Sequence, residues 1–156
     1  MKQNKNILDW ILAGGLLLFF VFSFFAGHSA PEDSKIGAVK TVSLAGVTLN
    51  TEVADTEEAR VQGLSYRPEL GDENSMLFVF DSPGYYPFWM KDMNFPIDII
   101  WIGENMRVVH IKENASPSSY PLVFEPGKPA KYVLETTAGF SSRNDLEVGD
   151  KVKFDF

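Results

Sequence analysis

The chain has 156 residues, enough for one ordinary core plus some extra sequence. It carries 14 Lys and Arg against 21 Asp and Glu, a net charge of −7, and no Cys. That balance offers nucleic-acid phosphates no basic face, and the missing Cys excludes disulfides, thiolate nucleophiles and Cys-based zinc sites together.

The extra sequence comes first. Trp10 to Gly27, "WILAGGLLLFFVFSFFAG", runs 18 residues without a charge. As a helix it would span roughly 27 Å, close to the thickness of a bilayer core. Lys2 and Lys5 precede it, and Glu32 and Asp33 follow it. The positive-inside rule then places the N-terminus in the cytoplasm and the rest outside, in the periplasm or extracellular space. Residues 1–30 read as a retained single-pass anchor. The competing reading is a signal peptide, which would leave a secreted protein, but His28 and Pro31 make "GHSA" a poor cleavage site. Residues 31–37 form a short polar linker, and 38–156 a single globular domain.

Within the domain, "AVKTVSL" and "VTLNTEVA" flank Ala45-Gly46 and predict a hairpin. Asp55 or Thr56 caps a short helix whose first turn holds Glu57 and Glu58 and which ends near Gly63. "SMLFVF", Ser75 to Phe80, is a buried strand followed by a turn over Asp81 to Gly84. "PFWMKDM" is extended. "IDIIWI" and "MRVVHI" around Gly103-Glu104-Asn105 predict a second hairpin, and residues 113–121 a loop. "AKYVLETT" is another strand, residues 138–146 hold one helical turn, and a last strand follows Gly149-Asp150. Strands and helices do not alternate, which disfavours a doubly wound fold. The fold class is therefore α+β and mostly antiparallel β: a compact barrel-like domain of seven or eight short strands with one or two short helices, preceded by one transmembrane helix.

Alternation along the strands assigns faces. Phe88 and Met90 share one face, Trp89 and Lys91 the other. Ile97, Ile99 and Trp101 lie together, opposite Asp98, Ile100 and Ile102. Asp98 is a carboxylate in a strand covered on both sides, so it must be paired or hydrogen-bonded; backbone N–H groups are one set of partners, a polar pocket the other. Lys91 snorkels past Trp89 or lines a cleft. Glu135 shares a face with Val133.

Five segments occur in order: "RVQGLSYR" from Arg60, "SMLFVF" from Ser75, "FWMKDMNFPIDIIWI" from Phe88, "PAKYVLETTAGF" from Pro129 and "LEVGDKV" from Leu146. Together they resemble the uncharacterised prokaryotic family called domain of unknown function 192, over residues 39 to 156. Gly63-Leu64-Ser65-Tyr66-Arg67 fits one form of its Gly-Leu-Ser-x-Arg pattern. Asp92 stands where the family usually has Asn after Trp-Met-Lys, and Ser75 where it commonly has Gly. The resemblance implies a mostly β domain, often secreted or membrane-tethered, and no catalytic residue or cofactor.

The remaining chemistry is sparse. The two His, His28 and His110, lie in different regions, too few for a zinc site, and no nucleophile elbow, calcium loop or phosphate-binding loop occurs. No catalytic residue, metal site or cofactor is therefore expected. The candidate constellation is Arg60, Arg67, Trp89, Lys91, Asp98 and Glu135. It reads either as buried ion pairs locking the helix to the sheet or as a pocket for a small polar or anionic ligand floored by Trp89. The expected function is a membrane-tethered, extracytoplasmic, non-catalytic domain that binds such a ligand or an envelope protein, with the Tyr85–Tyr86 loop as a contact surface for the latter. The alternative is an envelope hydrolase that uses Asp98 and Glu135 as a carboxylate pair.

Overall fold

The computed structural model describes residues 37–155. The predicted anchor over Trp10–Gly27 lies outside the described residues. Among the described residues no helix is long and apolar enough to cross a membrane.

The first hairpin forms as its pattern requires. Strands β1 (Gly37–Leu44) and β2 (Val47–Ala54) meet at Ala45-Gly46, both at positive φ (48° and 76°). Positive φ at both central residues gives the turn the twist that antiparallel strands favour. Helix α1 (Glu57–Gln62) is capped by the Thr56 hydroxyl, which accepts from the Ala59 N–H at 3.1 Å. It carries the chain to β3 (Asn74–Gly84), which pairs with β2 in parallel. This is the one parallel pairing in the sheet, and a crossover of this kind makes it feasible. β3 also runs through the expected turn at Asp81–Gly84. Its pairing with β8 (Ala130–Thr137) breaks register between Val79 and Gly84, so Pro83 sits where the ladder is already irregular.

The second hairpin pairs β5 (Ile97–Ile102) with β6 (Val108–Ala115). Two-residue strands β4 (Phe88–Trp89) and β7 (Val123–Phe124) form a separate ribbon that the sequence reading did not include. One 3-10 turn (Pro117–Ser119) interrupts the predicted loop, α2 (Phe140–Arg143) supplies the second helix, and β9 (Val152–Asp155) ends the chain. There are thus nine strands, where seven or eight were expected, and two short helices among the described residues; the mostly antiparallel, barrel-like α+β class is as expected.

The seven-stranded sheet runs β6-β5-β8-β3-β2-β1-β9. It curls until its two edges touch. Arg107 bridges Lys151, and the Val108 N–H donates to the Asp150 carbonyl at 2.9 Å. Closing the edges removes unpaired backbone that would otherwise template association.

Each face of this sheet buries a separate core. The inner one takes Val42, Leu49, Leu77, Ile100, Leu134 and Val152 from six strands, with Phe140 of α2 added. The outer one holds Met76, Phe78, Ile99, Trp101 and Val133, under Ala59 and Leu64 from the α1 region and Met90. Every residue of β5 is buried because each of its faces belongs to a different core. Trp101 is fully buried, and its indole N–H donates to the Tyr86 carbonyl at 2.9 Å. That bond holds the Tyr86 region against the outer face and so shapes the site described next.

Candidate functional site

Register puts the outer-face residues in rows. One row runs Glu52–Met76–Glu135–Ile99 across β2, β3, β8 and β5. Two carboxyls therefore flank one methionine on a face otherwise built for an apolar core. Arg67 answers one of them: its guanidinium forks onto Glu52 at 2.6 and 2.8 Å. The Arg67 hydrogen bonds hold the Glu52 carboxyl below the usual carboxylate range, partly offset by burial. Both side chains are about a third exposed (29% and 32%), so solvent screens the pair. Glu52→Gln is expected to cost about 0.5–1 kcal/mol at neutral pH. Because the folded acid is the stronger one, that contribution is present above the unfolded value and is lost as pH falls through the folded one. Urea titrations at pH 7 and pH 3 check it; equal costs at both would rule out the ion pair as the source.

Glu135 has no such partner. It is 5% exposed, and its Oε2 has no hydrogen bond. Burial pushes its carboxyl up to about 8, outweighing the Arg67 charge, which pulls the other way. At neutral pH this acid is mostly neutral and holds a proton that can be donated.

Glu135 lines a pocket of about 330 Å³ on the outer face. Phe78 forms the deep part. One wall is α1 with Gly63, Leu64 and Ser65, and the other is Tyr86 to Trp89 with Lys91 and Met93. Gly63 is required where it stands. Its φ is +48°, and a Cβ there would come within 3.3 Å of the Phe78 ring. Arg60 donates to the Asp55 and Val79 carbonyls at 2.7 and 2.9 Å and lies over the Phe80 ring. Phe80 in turn stacks on Tyr86.

Two loops clamp the mouth. The Tyr66 N–H donates to the Asp92 carbonyl at 2.8 Å, the Tyr66 hydroxyl donates to Asp92 Oδ2 at 2.8 Å, and the Ser65 hydroxyl donates to the Lys91 carbonyl at 3.2 Å. Tyr66 and Asp92 both adopt the left-handed conformation (φ 64° and 57°). At Tyr66 this is strained backbone that surrounding structure has to enforce, a feature that clusters at ligand clamps, whereas Asp tolerates the conformation.

Arg60, Trp89, Lys91 and Glu135 thus share one pocket. Trp89 forms an outer wall rather than the expected floor, being 56% exposed and edge-on to Tyr120. Arg67 is outside the lining, committed to Glu52. Asp98 lies on the inner face, fully buried, and accepts from three backbone N–H groups: Asn114 at 2.8 Å, Gly139 at 3.0 Å and Ser141 at 2.8 Å. Asp98 and Glu135 therefore point to opposite sides of the sheet and do not form a carboxylate pair. Of the two readings of Asp98, backbone acceptance is the one realised, though its donors come from β6 and α2 rather than from residues just after Pro96. The sequence reading missed Phe78, Phe80 and Tyr86 as pocket walls and Glu52 as the partner of Arg67. Alternation along β2 marked its faces, but the apolar run of β3 gave none, and pairing the rows needed the parallel register. No cluster of metal-ligating groups occurs among the described residues.

The segments that suggested a family, Gly63–Arg67 and Phe88–Asp92, are the two that meet at this mouth. Residues 39–154 match the family of uncharacterized ancient conserved proteins DUF192. The chain belongs to DUF192. Two solved structures are similar. One is a protein of unknown function from Novosphingobium aromaticivorans, 29% identical, with a TM-score of 0.70, covering 80% of this chain and 99% of that one. The other is titled a putative transcription regulator from Sinorhizobium meliloti, 33% identical, with a TM-score of 0.70, covering 75% and 94%. No curated protein matches the chain. Asp92 adopts the left-handed backbone, which Asp tolerates better than most residues.

Proposed function

We propose that this DUF192 protein is a membrane-tethered, extracytoplasmic and non-catalytic domain that binds a small polar or anionic ligand in the outer-face pocket. The observation that carries this reading is Glu135, a buried acid that lines a partly aromatic cavity of about 330 Å³ and whose Oε2 has no hydrogen-bond partner. Apolar walls with a few converging polar groups are the usual character of a ligand site. Arg60 and Lys91 add positive charge to its lining. The tether rests on the uncharged run from Trp10 to Gly27 and the Lys residues before it.

Melting of the full chain in lipid nanodiscs against sugars, phosphates, carboxylates and divalent ions tests the reading. A ligand at a hundred times its Kd adds about 2.7 kcal/mol to the native state, which raises the midpoint on the order of 5–10 °C. The expected result is a shift with one carboxylate or phosphate class. No shift with any compound would sink the reading in favour of a protein partner. That second reading has its own support: Trp89, Tyr120, Leu122 and Val123 are 56%, 47%, 57% and 40% exposed on and beside the β4–β7 ribbon.

A further inference from the structure

Glu135 sets a chemical condition on what the pocket accepts. Its row neighbours Met76 and Ile99 are apolar and give it nothing to bond. The charged groups facing it from each packed element are Glu52 of β2, Arg67 of the loop after α1, Glu57 and Arg60 of α1, and Lys91 after β4. Glu52 and Arg67 neutralise each other through two hydrogen bonds. Arg60 is held by two carbonyls and lies over the Phe80 ring, so a cation already occupies that aromatic face. A ligand ammonium would enter a lining in which two cations, Arg60 and Lys91, outnumber Glu57, the one acid there besides the protonated Glu135. An oxygen acceptor meets no such opposition.

We propose that the Glu135 carboxyl is the recognition group of this pocket, donating its O–H to a carbonyl or carboxylate oxygen of a small molecule whose apolar body packs against Tyr86, Phe88 and Trp89. This rests on the pocket being a binding site, as proposed above. The ligand class is an aromatic or branched amide, ketone or carboxylic acid. The buried donor discriminates because an analogue without the acceptor leaves the acid unpaired. Affinity falls as pH rises through about 8, where the donor is lost and a buried negative charge takes its place.

The test uses three matched probes, phenylacetamide, phenylacetate and 2-phenylethylammonium, titrated by ligand-observed NMR against the full chain in nanodiscs at pH 6 and pH 9. Phenylacetamide is the principal probe because its own charge is constant over that range. Its affinity is expected to drop about tenfold from pH 6 to pH 9, following the protonated fraction of Glu135, and phenylacetate is expected to drop at least as much. Glu135→Gln keeps an N–H donor and is expected to bind phenylacetamide with no pH dependence. Glu135→Leu is expected to lose at least tenfold at pH 6 while still melting cooperatively. Preferential binding of 2-phenylethylammonium with affinity rising toward pH 9, or unchanged phenylacetamide binding by Glu135→Leu, would overturn the assignment and leave the pocket as a binding site. Absence of saturable binding by all three probes overturns it as well. The wider melting panel then decides separately whether the pocket binds anything.

Discussion

Glu135→Leu is expected to stabilise the domain, and the gain is expected to grow with pH. The wild-type carboxyl titrates near an ordinary 4.5 when unfolded and at about 8 when folded. Between those values the folded chain holds a proton that the unfolded chain releases, so stability falls as pH rises. Over the whole interval the loss comes to about 5 kcal/mol, at roughly 1.4 kcal/mol per pH unit. Leucine has no such linkage, and it meets Met76 and Ile99 with apolar surface. The variant and wild type should therefore be similar near pH 4.5 and diverge by several kcal/mol at pH 9. Paired urea titrations across that range measure the difference directly, because all other groups cancel. A variant no more stable than wild type at pH 9 would mean the carboxylate finds water or a partner that the described geometry lacks. A stabilising substitution that removes binding is the expected signature of a site kept for function at the expense of stability.

The second large effect has the opposite sign. Asp98→Ala should cost about 3–5 kcal/mol, a large share of the stability of an ordinary domain. The carboxylate is fully buried and gathers N–H groups from the end of β6, from Gly139 and from Ser141. Removing it orphans three donors at once, each costing about 1–3 kcal/mol when left unpaired in the interior. It also releases the start of α2, whose Phe140 closes the inner core. Asp98→Asn preserves shape but replaces one acceptor oxygen with a donor that faces an N–H, so it should recover only part of the loss. A melting midpoint within 2 °C of wild type for Asp98→Ala would show that the three contacts are dispensable. The two acids thus test each other: similar burial, neighbouring strands, opposite predicted signs.

Their contrast also shows how far the sequence could be read. Both acids stood out as charges in strands patterned for burial, and alternation put Glu135 with Val133 and Asp98 with Ile100. Nothing in that pattern said which would find donors. Asp98 is satisfied by residues 16, 41 and 43 positions away along the chain. Glu135 is left unsatisfied because Arg67, the cation whose charge acts on it, closes on Glu52 instead. The turn expected at Asp81–Gly84 became strand for a similar reason. Local turn chemistry there was overridden by the β8 partner, which resumes pairing at Gly84. The β4–β7 ribbon has only two residues per strand, too short for any periodic signal.

Composition, alternation and turn residues determined by themselves the strand-rich class, both hairpins, a capped helix starting at Asp55 or Thr56 and the face on which each residue of β5 and β8 lies. These are local properties, set by backbone sterics and by the two-residue repeat of a pleated strand. The tertiary structure decided the parallel β2–β3 pairing, the closure of the sheet at Arg107–Lys151 and the choice of Glu52 over Glu135 by Arg67. Those depend on which distant segments meet. A hydrogen bond or ion pair spends its partner once, so the group left over is known only when every element is in place.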